Sequence, residues 1–149
     1  MSMRIEHSEK DINFVAELND RLCLLYMTSG EGKTLLFRTF NKAVYEPWHS
    51  RYHYYDYTTM DKVLDDTSKY LNPNNVIVFD NADLYRDSVL KAIKGSKATF
   101  VIITKALYWL MIYEDELGYY CIDHTSDYVM MREKNSNETL CSSSTASTH

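Results

Sequence analysis

Proline and glycine are scarce in this chain, with 2 and 4 residues respectively among 149. That excludes collagen-like and linker-rich architectures, and it makes each glycine informative about backbone conformation. Cysteine is also sparse. Cys23, Cys121 and Cys141 form an odd set with no metal-ligand or redox spacing, so a disulfide scaffold is excluded and reduced, unpaired thiols are expected. No run of apolar residues is long enough to read as a transmembrane helix, so no membrane partner is expected. Met1-Ser2-Met3-Arg4-Ile5-Glu6-His7 has no apolar signal core, which points to a cytoplasmic protein. An excess of positive charge is missing too: the net charge is −5. A broad nucleic-acid footprint needs clustered Lys and Arg and is therefore excluded, whereas a local basic pocket for a nucleotide is not.

What is present is a globular composition, 45% hydrophobic and 13% aromatic, with 13 tyrosines. The length suits one domain, read as residues 1–131. The polar, Ser/Thr-rich stretch 132–149 cannot bury enough apolar surface to order itself and is expected to be a flexible tail. His49 and His53 lie four apart, but Tyr52, Tyr54, Tyr55 and Tyr57 around them read as a strand, where that spacing does not build a metal pair.

The densest signal is Gly30-Glu31-Gly32-Lys33-Thr34, directly after the apolar run Leu22-Cys23-Leu24-Leu25-Tyr26-Met27 and before Leu35-Leu36-Phe37. Strand, glycine-rich turn, Lys-Thr and helix is the layout of a phosphate-binding loop. Backbone amides from Gly30 through Leu35 would curl around phosphates at a helix N-terminus. Lys33 would neutralise the outer oxygens and the Thr34 hydroxyl would hold Mg²⁺. The complete pattern is G-x-x-x-x-G-K-S/T, and Met27 stands at its first glycine.

A second signal is Val76-Ile77-Val78-Phe79-Asp80-Asn81, a continuous apolar run closed by an acid. This is how a buried parallel strand reads, and Asp80 at its carboxyl end is placed to hold Mg²⁺ with Thr34. The spacing is compatible with this strand lying beside the one at 22–27. The intervening elements are expected to be a helix over 33–45, an aromatic strand over 51–58, and a helix over 60–71 with Met60, Val63, Leu64, Thr67 and Leu71 on one face. A short helix over 87–93 ends at Gly95, and a strand follows over 98–104. Trp109–Tyr113 and Tyr119–Ile122 read as a β-hairpin or a short helix–strand exchange. Residues 3–19 hold a short strand and then a segment, Ile12–Leu18, whose type the pattern does not settle.

With both signals in hand, residues 20 to 105 resemble a P-loop NTPase of the additional-strand division, the group containing the AAA+ and STAND ATPases. Gly30, Gly32, Lys33 and Thr34 match Walker A, Asp80 matches Walker B, and Thr104 matches the sensor-one position loosely. The resemblance implies an α/β fold, a parallel sheet flanked by helices, with a C-terminal β-hairpin extension. It implies binding of Mg²⁺ with ATP or GTP. Asn81 stands where such ATPases carry the water-activating glutamate, and Asn cannot act as a general base. Asp83 is the substitute candidate, with Asn81 and Thr104 completing the catalytic set. Arg86 and Arg132 are candidate phosphate contacts. Weak or no hydrolysis is therefore expected, from a monomer or dimer. Two alternatives stand beside it. One is a non-enzymatic interaction or regulatory protein on a decayed P-loop scaffold, of the kind a phage or mobile element carries, for which the tyrosine surplus suggests a protein partner. The other is a small nucleotide kinase, against which the Arg-poor stretch 87–131 argues.

Overall fold

Three strands of the chain are unbroken apolar runs, and the folded molecule buries each of them on both faces. The computed structural model describes residues 2–26 and 31–135, with the side chain of Glu31 excepted. Eight strands form one sheet: β1 (Met3–Glu9), β2 (Ile12–Leu18), β3 (Leu22–Tyr26), β4 (Tyr52–Tyr55), β5 (Val76–Phe79), β6 (Thr99–Thr104), β7 (Leu117–His124) and β8 (Tyr128–Glu133). Two α-helices accompany them, α1 (Glu31–Lys42) and α2 (Arg86–Ile93). The strand order is β1-β2-β8-β7-β3-β6-β5-β4. β1 pairs antiparallel with β2, and β7 antiparallel with β8. β2 joins β8 in parallel, β7 joins β3 in parallel, and β6, β5 and β4 follow in parallel register.

The sheet is therefore mixed, and it curls into a half-barrel with few helices. This overturns both the resemblance to a P-loop NTPase of the additional-strand division and the fold class drawn from it. The expected parallel sheet flanked by helices is replaced for a physical reason. The segment 3–18 folds as an antiparallel hairpin and recruits β8, so three strands enter the sheet that the alternating strand–helix reading does not contain. The hairpin turns at Lys10 and Asp11, both in the left-handed region at φ 52° and 65°. That is the conformation a two-residue turn requires, reached here without the usual Asn-Gly pair. The expected C-terminal extension is also different. Tyr108–Glu116 is a run of 3-10 helix, and the hairpin is instead β7–β8.

The curl brings the two sheet edges towards each other. Trp48, on the connection between α1 and β4, donates its indole N–H to the Glu6 carbonyl of edge strand β1 at 3.0 Å. A small cleft lined by Met3, Ile5, Trp48, Arg51 and Val76 lies where the edges meet. One core fills the concave space beneath α1, around Leu36, Phe37, Phe40, Trp48 and Tyr52. A second lies on the other face beneath α2, around Phe79, Val89, Ile93, Phe100 and Leu110. The helix expected over 60–71 is two 3-10 turns, Met60–Lys62 and Thr67–Leu71. Asp66 breaks the run by accepting the Ser68 amide, the local bonding that makes Asp a cap rather than a helix-interior residue. Cys23 is a free, buried thiol, whereas Cys121 is disulfide-bonded, which corrects the expectation that all three thiols are unpaired. Among the described residues no helix is long and apolar enough to cross a membrane.

Candidate functional site

α1 begins at Glu31, so Glu31, Gly32, Lys33, Thr34 and Leu35 occupy its first turns, while Met27 and Gly30 lie outside the described residues. Gly32 is there because the helix start is pressed against the carboxyl end of β7. A Cβ at this position would stand 3.2 Å from Ile122 Cγ2 and 3.4 Å from His124 Cβ. Leu35 is half-buried and packs against the core, and Thr34 is exposed. Lys33 points the other way, towards the end of β5. Its Nζ is 3.9 Å from Asp80 Oδ1, and both side chains are more than four-fifths buried. β6 lies between β3 and β5, so the strand that precedes α1 and the strand that leads into Asp80 are not neighbours as the spacing suggested. Lysine and carboxylate meet across it, above the ends of the parallel strands.

Asp80 is fixed from several directions. Its Oδ2 accepts the Tyr54 hydroxyl at 2.6 Å, and its Oδ1 accepts the Asn81 amide at 2.9 Å. Its own N–H donates to the Tyr55 carbonyl at 2.8 Å. Its carbonyl accepts the Tyr85 hydroxyl at 2.6 Å. Burial, reinforced by the Asp80 hydrogen bond, pushes the Tyr54 hydroxyl far above its ordinary range, so it stays a neutral donor. Asn81 turns the chain out of the strand in the left-handed region, at φ 52° and ψ 42°. Asn is among the residues that tolerate this conformation.

The other predicted catalytic residues are placed nearby but engaged. Asp83 lies in the 3-10 turn Ala82–Leu84, where its Oδ1 accepts the Lys105 amide at 3.3 Å. Thr104 ends β6. Its hydroxyl donates to the Ala106 carbonyl at 2.8 Å and accepts from the Trp109 indole at 3.3 Å. The donor that a phosphate sensor would need is thus used within the β6 exit turn. The candidate phosphate contacts are also committed. The Arg132 Nε donates to Asp123 Oδ2 at 2.6 Å, and the Arg86 guanidinium sits over the Tyr108 ring.

Sequence reasoning missed Tyr54. The signal available was the period-two alternation of β4, which puts Tyr52 and Tyr54 on one face, the face that meets α1. The Tyr54 ring lies against Phe37, one helical turn beyond Lys33. Lys33, Phe37, Tyr54 and Asp80 therefore form one cross-braced unit. Chemically it offers an amine and a carboxylate facing each other beside a helix N-terminus, whose dipole favours an anion. Among the described residues no group of three or more His, Cys, Asp or Glu side chains could hold a metal. A cation here would draw most of its oxygens from water and from a bound phosphate, as Mg²⁺ commonly does. No protein-family model matches the chain, and no curated protein matches its sequence.

Proposed function

We propose that the chain binds a nucleoside triphosphate, ATP or GTP, together with Mg²⁺, and that it hydrolyses the nucleotide weakly or not at all. One observation carries this reading: Lys33 Nζ and Asp80 Oδ1 stand 3.9 Å apart beside the start of α1. Lys33 would exchange Asp80 for the outer phosphate oxygens. Asp80, relieved of the amine, would hold Mg²⁺ with the Thr34 hydroxyl, and the first amides of α1 would receive phosphate oxygens. Positioning and electrostatics are most of what such a site contributes. Slow turnover follows from Asn81, which accepts no proton, and from Asp83, which is tied to the Lys105 amide.

Calorimetric titration with ATP and with GTP, each with and without Mg²⁺, tests this. Binding that strengthens with Mg²⁺ and is lost in Lys33→Ala is the expected result. No heat at millimolar nucleotide would overturn the reading. A protein-interaction role is the second reading, favoured by Leu84, Tyr108 and Ile112, all largely exposed around the Arg86–Tyr108 stack. Tyr and Arg are the residue types that anchor interfaces.

A further inference from the structure

Asp80 carries two oxygens with different surroundings, and the difference is set by a residue remote in sequence from the glycine-rich segment but packed beside it. Oδ2 is capped by the Tyr54 hydroxyl at 2.6 Å. Oδ1 faces Lys33 at 3.9 Å and accepts one backbone amide. A carboxylate has about four acceptor sites. One oxygen is thus anchored to the sheet while the other retains acceptor capacity on the side where the amine stands. Tyr54 is itself held: its ring packs against Phe37 of α1, with ring centroids 6.4 Å apart, and its backbone lies in register with Val78 of β5.

We infer that Tyr54 is a positioning residue for the cation half of the site, holding Asp80 Oδ2 so that Oδ1 is presented to a divalent cation carried in with the phosphates. This rests on the nucleotide reading given above. The hydroxyl does not touch nucleotide or cation; it acts through Asp80. The cost of leaving a carboxylate free to rotate is spread over rotamers in which Oδ1 turns away, and removing an outer-shell partner of this kind typically lowers metal affinity by about 10-fold or more. Lys33 faces the other oxygen, Oδ1, and makes no bond to the Tyr54 hydroxyl, so phosphate binding without metal is separable from the cation-dependent increment.

The test is the ratio of ATP affinities with and without Mg²⁺, measured by calorimetry on the full chain. Tyr54→Phe keeps the ring and its contact with Phe37. It is expected to bind metal-free ATP within about twofold of wild type while losing roughly tenfold of the gain conferred by Mg²⁺. Tyr70→Phe is the control. It removes a buried hydroxyl that donates to the Val63 carbonyl, so it should lower thermal stability and leave the ratio unchanged. In an Asp80→Asn background, where the cation site is already disabled, Tyr54→Phe should change the ratio no further. An unchanged Mg²⁺ gain in Tyr54→Phe overturns the inference, as does an equal loss with and without metal, which marks a purely structural role. A further loss in the Asp80→Asn background does the same. If wild type binds neither ATP nor GTP under any condition, the nucleotide reading fails and this inference with it. If wild type binds both without any effect of Mg²⁺, nucleotide binding stands and only the cation role of Asp80 and Tyr54 falls.

Discussion

Tyr52→Phe should make this protein more stable. The Tyr52 ring is almost completely buried between Phe40 and Trp48, with centroids 5.9 and 5.7 Å away and both contacts edge-to-face. Its hydroxyl oxygen is buried without a hydrogen-bond partner. An unsatisfied buried hydroxyl costs about 1–3 kcal/mol relative to one in water. Phenylalanine removes that cost and keeps every ring contact, because no partner is left behind to lose its own bond. The apolar area gained is small, so the lower end of the range applies and a stabilisation of about 1 kcal/mol is expected. For a chain of this size that corresponds to a rise of roughly 2–4 °C in Tm. Urea unfolding is the assay, with the midpoint rising and the slope m unchanged. Tyr70→Phe supplies the contrast, since its hydroxyl donates to the Val63 carbonyl; that variant should lose about 1 kcal/mol. If Tyr52→Phe is destabilised to the same extent as Tyr70→Phe, the Tyr52 hydroxyl has a partner in solution and the reasoning is wrong.

Alkaline pH should unfold the chain progressively. Burial raises the Tyr52 hydroxyl well above 10.0 and the Cys23 thiol from 9.0 to about 12. A raised folded-state pKa gives stability that is complete below the unfolded value and lost as pH climbs towards the folded one, so the unfolding free energy should fall from about pH 9 upward, by up to about 1.4 kcal/mol per pH unit per group, and the urea midpoint with it. A pH-independent midpoint across that window would contradict the burial of both groups. Gly118→Ala should cost about 2 kcal/mol or more, because its Cβ would stand 1.9 Å from Asp20 Oδ2, which accepts the Tyr120 hydroxyl at 2.7 Å. Thermal unfolding within about 1 °C of wild type would show that Asp20 is free to move aside. Trp48→Phe removes the indole bond to the Glu6 carbonyl, so amide exchange in Met3–Glu9 should accelerate by about tenfold with little change elsewhere; unchanged exchange there would mean that the bond does not hold the β1 edge.

Legibility in the sequence tracked how local the deciding interactions are. Leu22–Leu25, Val76–Phe79 and Thr99–Ile103 were readable because strands buried on both faces need apolar side chains at every position, a demand visible without knowing the neighbours. The Met60–Leu71 segment misled for the opposite reason. Its apolar residues recur at helical spacing, yet Met60, Leu64 and Leu71 are exposed while Val63 and Tyr70 are buried, so the period did not describe a buried face. Trp109–Tyr113 has strand-forming residues, but Trp109 and Leu110 are buried as adjacent positions, which a one-sided strand cannot provide. The β1–β2 hairpin hid behind Lys10 and Asp11, which adopt a glycine-favoured conformation without the residue types that announce it. Above all, the antiparallel pairing of β1 with β2 and the insertion of β8 beside β2 are long-range facts. They decide that the sheet is mixed and curled, and no window of a dozen residues contains them.

The same distinction divides the candidate site. Gly32, Lys33 and Thr34 sit within one helical turn, and Asp80 closes one apolar run, so each half could be read from its own segment. The halves are separated by β6, inserted between β3 and β5, and meet because Lys33 reaches across it to Asp80. What orients Asp80 is a tyrosine from a third segment. The order of β4 beside β5 puts Tyr54 in register with Val78, two positions before Asp80, and a tyrosine side chain spans that gap. The adjacency of β4 and β5 has a further consequence. Tyr85, leaving the turn after Asp80, donates its hydroxyl to the Asp80 carbonyl at 2.6 Å with the Tyr55 carbonyl 3.1 Å away, so the ends of the two strands are tied at the level of the carboxylate. Asp80 is therefore held through its side chain, its amide and its carbonyl at once. A ligand that binds there would find its carboxylate already oriented, and the ordering entropy that a mobile acid would lose on binding would be largely spent in folding.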